Sequence, residues 1–117
     1  MPRPVHSRYP KRLELDICEA ITRCCLLVFA YNGVRRVVQP YCHGFTRTGG
    51  ETLRAIEVGS PGRAFGKLWT VAKMERLRLI ADHFIPDDPD YNPNDSAMVE
   101  VHCCVKPPQI WRGRDQP

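Results

Sequence analysis

The chain has 117 residues, 43% hydrophobic and 26% charged, which is enough for one core and too little for two ordinary domains. No run approaches the ~18 apolar residues of a membrane span, and "MPRPVHSRYPKR" lacks the apolar segment of a signal peptide, so the expected location is the cytoplasm. The net charge of +4 belongs to the ends: residues 1–11 and 106–117 carry six bases against one acid, whereas residues 12–105 carry 11 bases against 12 acids.

Nonspecific nucleic-acid affinity rests on clustered Lys and Arg. A near-neutral body therefore makes nucleic acid a weaker expectation than a small anionic ligand. Residues 1–11 and 106–117 are rich in Pro and Arg and lack periodicity, so they read as extended or disordered tails around one domain at 12–105. Trp111 in the second tail is expected to pack back on the domain or on a neighbour.

From Arg12 to Cys24 the apolar residues Leu13, Ile17, Ala20, Ile21 and Cys24 recur at i, i+4, i+7, i+8 and i+11, which predicts an amphipathic helix. "CLLVFAYNG", Cys25 to Gly33, predicts a strand entering an Asn-Gly turn. "VRRVVQPY" starts the next strand, and Pro40 removes a ladder donor, so that strand must lie at an edge or bend there. Gly49-Gly50 makes a second turn. "ETLRAIEV" then alternates, with Leu53 and Ala55 on one face and Arg54, Ile56 and Val58 on the other.

The stretch from Gly59 to Lys67 holds three glycines and a proline and predicts a loop. "LWTVAKMERLRLI" carries Trp69, Val71, Leu77 and Leu79 at strand spacing, with a short helical turn around Ala72 to Glu75. "VEVHCCV" predicts a last strand with Val99, Val101, Cys103 and Val105 inward and Glu100, His102 and Cys104 outward. The whole is expected to be mainly β with one N-terminal helix, as a small bent five-stranded sheet or partly open barrel.

Six cysteines contain no C-x-x-C. Two adjacent pairs cannot easily serve one zinc ion, and without a secretion signal a disulfide framework is not expected, so they read as structural thiols. The acidic "PDDPDYNPND" offers Asp87, Asp88, Asp90, Asn94 and Asp95, but lacks the glycine and closing glutamate of a calcium loop; turns and an N-cap from Asp95 explain it better. Tyr91 is expected to pin this loop to the barrel. Neighbours along a strand face opposite ways, so Cys42 and His43 are not a dyad, and no catalytic motif occurs. Neither an enzyme nor a metal or cofactor is expected.

The order of elements, with "LDICEAI", "LVFAYNG", "RRVVQPYCHGFTRTGGETLRAIEV" and "LWTVAKMERL", resembles the WYL-domain family, a bacterial group with an Sm-like or SH3-like barrel. Tyr31, Arg36, Pro40, Gly49-Gly50, Lys67, Trp69, Lys73 and Met74 stand where the family's marks would fall. The naming triplet is here Glu51-Thr52-Leu53, of which only Leu53 matches. The resemblance implies sensing of a small ligand or nucleic acid to regulate transcription, with strand cations meeting the ligand. The family usually follows a DNA-binding helix-turn-helix, and with no room for one before Leu13 a freestanding domain is expected.

On that basis Arg36, His43, Arg54, Lys67 and Lys73 are candidate ligand contacts, since guanidinium forks suit carboxylate and phosphate. The other reading is that they are solvated or paired with Glu51, Glu57 and Glu75. Tyr41 could stack a ligand or fill the core, and Trp69 reads as core. A nucleic-acid-binding barrel assisted by its tails and a structural oligomer are the alternatives, with a homodimer compatible with all three.

Overall fold

The structure, a computed structural model, describes residues 16–59, 67–88, 91–92 and 94–106. The expected helix start at 12–15, most of the Gly-rich loop, Asp90, Trp111 and nearly all of both tails lie outside these residues. Helix α1 covers residues 16–23. Ile17, Ala20 and Ile21 form its buried stripe, while exposed Glu19 and Arg23 pair across one turn at 2.9 Å. Such a pair contributes only about 0.3–0.5 kcal/mol, so the apolar stripe holds the helix. Cys24 ends it in the left-handed region at φ 56°.

Among the described residues six strands follow: β1 (Cys25–Tyr31), β2 (Val34–Phe45), β3 (Glu51–Glu57), β4 (Lys67–Thr70), β5 (Met74–His83) and β6 (Glu100–Cys104). The expectation was five. A single 3-10 turn, Val71–Lys73, divides the run read as one strand into β4 and β5. Asn32 and Gly33 have φ of 54° and 78°, the two positive values that a tight turn between twisted antiparallel strands requires. The Gly49-Gly50 turn is closed by reciprocal backbone bonds between Thr46 and residues 49 and 50.

The pairing order is β4-β3-β2-β1-β5, all antiparallel, with β6 added to β2. β4 and β5 lie at opposite ends of that path, yet only three residues join them, so the sheet has to curl until its ends approach. Tyr31 reinforces the approach: it pairs with Met74 through the β1–β5 ladder, and its hydroxyl accepts the Thr70 N–H at 3.0 Å. The result is a mainly β, bent and open antiparallel sheet with one helix near the N-terminus, in line with the fold class that the sequence predicts.

Pro40 marks the predicted bend. β2 pairs with β1 from Val34 to Val38 and with β6 from Cys42 to Phe45, and its register with β3 shifts between Pro40 and Cys42. Inside the curl lie Ile17, Ile21, Leu27, Phe29, Val38, Tyr41, Leu53 and Trp69, all essentially inaccessible. Phe29 and Tyr31 meet the Trp69 ring edge-on at 5.4 and 5.0 Å, and the indole N–H donates to the Ala55 carbonyl at 3.1 Å. Trp69 is core, as its alternation implies.

Two expectations are corrected. Val99 and Val101 are 63% and 40% exposed rather than inward, because His102 is an extra residue in β6 between the pairs His43–Cys103 and Gly44–Val101; a bulge shifts every side chain before it to the other face. Cys18 and Cys103, 85 residues apart, are joined as a disulfide rather than being separate buried thiols. Among the described residues, no helix is long and apolar enough to cross a membrane.

Gly44 sits where β6 approaches most closely, and a Cβ there would fall on the Glu100 carbonyl oxygen and 2.9 Å from the Met98 sulfur. Gly44→Ala is expected to cost about 1–3 kcal/mol through overpacking of the β2–β6 seam. Urea denaturation would show it, and an unchanged midpoint would mean that β6 yields freely.

Candidate functional site

The six predicted contact residues do not converge on one site. Arg36 on β2 donates to Glu57 at 3.1 Å, and its guanidinium lies 5.8 Å from the Trp69 ring centroid. The Lys67 ammonium lies 4.8 Å from the same centroid. The structure therefore brings Arg36 and Lys67 together over an indole that is only 1% exposed; two cations cover it rather than leaving a stacking platform.

Arg54 on β3 binds Asp95 in a fork, Nε to Oδ2 at 2.7 Å and Nη2 to Oδ1 at 3.1 Å. Asp95 also accepts the Ala97 N–H at 3.0 Å, which is the turn-forming role its loop composition implies. Tyr41 is buried, and its hydroxyl accepts the Asp88 N–H at 3.3 Å; burial pushes the phenol up to about 12. Tyr91 is buried against the Tyr41 ring at 5.2 Å and donates to the Val105 carbonyl at 2.8 Å. Arg54, Tyr41 and the Tyr91–Val105 bond thus tie Asp95, Asp88 and Tyr91 to the sheet.

His43 is fully buried, with Nε2 at 2.7 Å from Glu51 Oε2 and its ring against Phe45 and His102. Lys73 is exposed at the end of the 3-10 turn.

A different set of cations does converge. An open depression of about 280 Å³ on the β2–β1–β5 face is lined by Val28, Phe29, Ala30, Gly33, Arg35, Arg76 and Arg78. The ladders explain its composition: Arg35 pairs with Ala30 across β1–β2, and Arg78 pairs with Val28 across β1–β5. The β1–β5 register shifts between Val28 and Ala30, and Arg76 occupies that irregularity with φ 53°. A non-glycine residue in the left-handed region is disfavoured by roughly 1–2 kcal/mol, and such strain gathers at functional positions.

Among the described residues, none of the three guanidinium groups has an ion-pair partner. Arg36, one residue from Arg35, faces the opposite way and is neutralised. In sequence the only signal was "ERLRL", whose Arg76 and Arg78 alternate as strand neighbours on one face; Arg35 joins them through pairing that no local pattern displays. No protein-family model, curated protein or solved structure matches the chain.

The Arg54 hydrogen bonds hold the Asp95 carboxyl below its ordinary value, outweighing the opposite effect of burial. The folded state therefore binds fewer protons than the unfolded one, and the pair's contribution is present above about pH 4 and lost as pH falls through the lowered value. Asp95→Asn is expected to destabilise by about 2 kcal/mol at pH 7. Its deficit against the native chain should narrow in urea melts at pH 3; a gap of constant size would assign Asp95 a packing role instead.

Proposed function

We propose that the chain is a binding module whose β2–β1–β5 face recognises a small anionic ligand through Arg35, Arg76 and Arg78. The single observation behind this reading is the convergence on one depression of three guanidinium groups that have no ion-pair partner among the described residues. Guanidinium forks match phosphate and carboxylate oxygens two at a time, and a concentrated positive field draws a multivalent anion before contact. The volume lies at the lower end of ligand pockets, which favours a compact ligand such as a phosphate ester or a di- or tricarboxylate.

The lining contains no nucleophile, acid or base besides the arginines, which supports binding rather than catalysis. The resemblance to WYL domains supports a regulatory role in a related sense: cations on strands of a small barrel meet the signal. The predicted contacts Arg36, His43 and Arg54 are already engaged with Glu57, Glu51 and Asp95, so the reading moves to the neighbouring face.

Arg76→Gly separates binding from folding, because glycine accepts φ 53° without strain. The variant is expected to remain within about 1 kcal/mol of native stability, while its affinity for pyrophosphate or citrate, measured by calorimetry at low salt, falls about tenfold, the loss expected for one charge-assisted contact. Arg36→Ala should leave affinity within about twofold. An oligonucleotide arm at two salt concentrations distinguishes nucleic acid, whose binding would weaken steeply with salt. The proposal fails if neither anion binds, or if Arg76→Gly and Arg78→Ala both bind as the native chain does.

A further inference from the structure

The seam between α1 and β6 gathers a second set of side chains, none of which lines the arginine face. Cys18 comes from α1, Cys103 from β6, and His43 from the far half of β2, directly across the ladder from Cys103. One ligand atom of each lies within 4.8 Å of the others. The sequence argument against zinc was that adjacent cysteines cannot share an ion; here the two sulfurs come from distant segments, so it does not apply.

The histidine supplies the independent sign. His43 is 0% exposed, its Nε2 is taken by Glu51 at 2.7 Å, and its Nδ1 is buried with no hydrogen-bond partner among the described residues. An orphaned buried polar atom costs about 1–3 kcal/mol. A carboxylate on one ring nitrogen with the other nitrogen left open is the arrangement that orients histidine toward a metal: Nε2–H donates to the carboxylate and Nδ1 presents its lone pair. Two sulfurs and one imidazole form the donor set of a zinc ion.

We propose that, when Cys18 and Cys103 are reduced, they and His43 Nδ1 hold one zinc ion, with the fourth position left to solvent or an external ligand. Tetrahedral zinc sets its S and N ligands ~3.5–3.8 Å apart, so the sulfurs separate and the imidazole closes in by side-chain rotation. Two thiolates neutralise the dication, so the complex brings no net charge into a half-buried place. The conversion balances with a dithiol as reductant. Its two sulfurs close into their own disulfide, the Cys18–Cys103 bond breaks to give two thiols, and zinc displaces both protons to solvent. The sulfurs clamp α1 to β6 in either state, once covalently and once through the metal.

The test uses the full chain, reduced with a phosphine, freed of reductant and titrated with Co²⁺. One equivalent should bind with thiolate-to-metal charge transfer in the near ultraviolet and the visible bands of a tetrahedral ion, and Zn²⁺ should displace it. The oxidised chain should take up none. Cys18→Ser and Cys103→Ser should each abolish the charge-transfer signal, His43→Gln should weaken binding at least ~10-fold, and Cys24→Ser should change nothing. If the variants do not fold, the native chain still decides: Zn²⁺ must slow iodoacetamide labelling of Cys18 and Cys103 at least ~10-fold. Absence of a stoichiometric tetrahedral signal, its survival in both cysteine variants, or unprotected labelling of both sulfurs overturns the proposal.

Discussion

Everything in this barrel is referred to β2. Twelve residues in a curled sheet outrun the neighbour on one side, so β2 pairs with β1 up to Val38 and with β6 from Cys42. Pro40 stands in the exchange. Having no amide hydrogen, it leaves no donor unpaired where the register shifts. The consequence is a strand of two halves. The first presents Arg35 and Arg36 to opposite faces beside β1; the second carries His43 and Gly44 beneath β6.

Charge follows the same division. Arg36 and Arg54 each face a carboxylate from another part of the chain, at 3.1 and 2.7 Å, and the His43 imidazole is hydrogen-bonded to a third. Partly buried charges need such partners, since an isolated one is far costlier than a paired one. Arg35, Arg76 and Arg78 are exposed, and there the balance differs. Two like charges ~7 Å apart in a water-like dielectric repel by only about 0.6 kcal/mol, further reduced by salt. The fold therefore tolerates on one open face three guanidinium groups with no ion-pair partner among the described residues, and the same three would each gain from one anion.

Much of the architecture is legible locally, and the reasons are local. Asn32-Gly33 and Gly49-Gly50 announce turns because few other residues adopt the backbone they need, and alternation through Leu53 and Ala55 gives the facing of β3. Where pairing is long-range the sequence is silent. The bulge at His102 reverses the facing of Val101, and nothing in "VEVHCCV" signals it. Arg35 comes beside Arg76 and Arg78 only because β5 returns to β1, and no local pattern separates it from Arg36, one residue away on the opposite face. The Cys18–Cys103 pairing is invisible for the same reason: helix and last strand meet only after the sheet has curled.

That meeting place also has little ladder support. β6 pairs with one strand, over five residues interrupted by a bulge, and α1 contributes side chains but no ladder. Cross-linking there closes most of the chain into a loop, and constraining so long a loop removes about 4–5 kcal/mol of unfolded-state entropy in the chain-entropy account, more than the ladder of a short edge strand supplies. A fold that concentrates its restraint in two sulfurs makes the attachment of α1 and β6 depend on their chemical state. The neighbouring His43, held by Glu51 and open at Nδ1, gives those sulfurs a second way to be joined once the covalent one is broken.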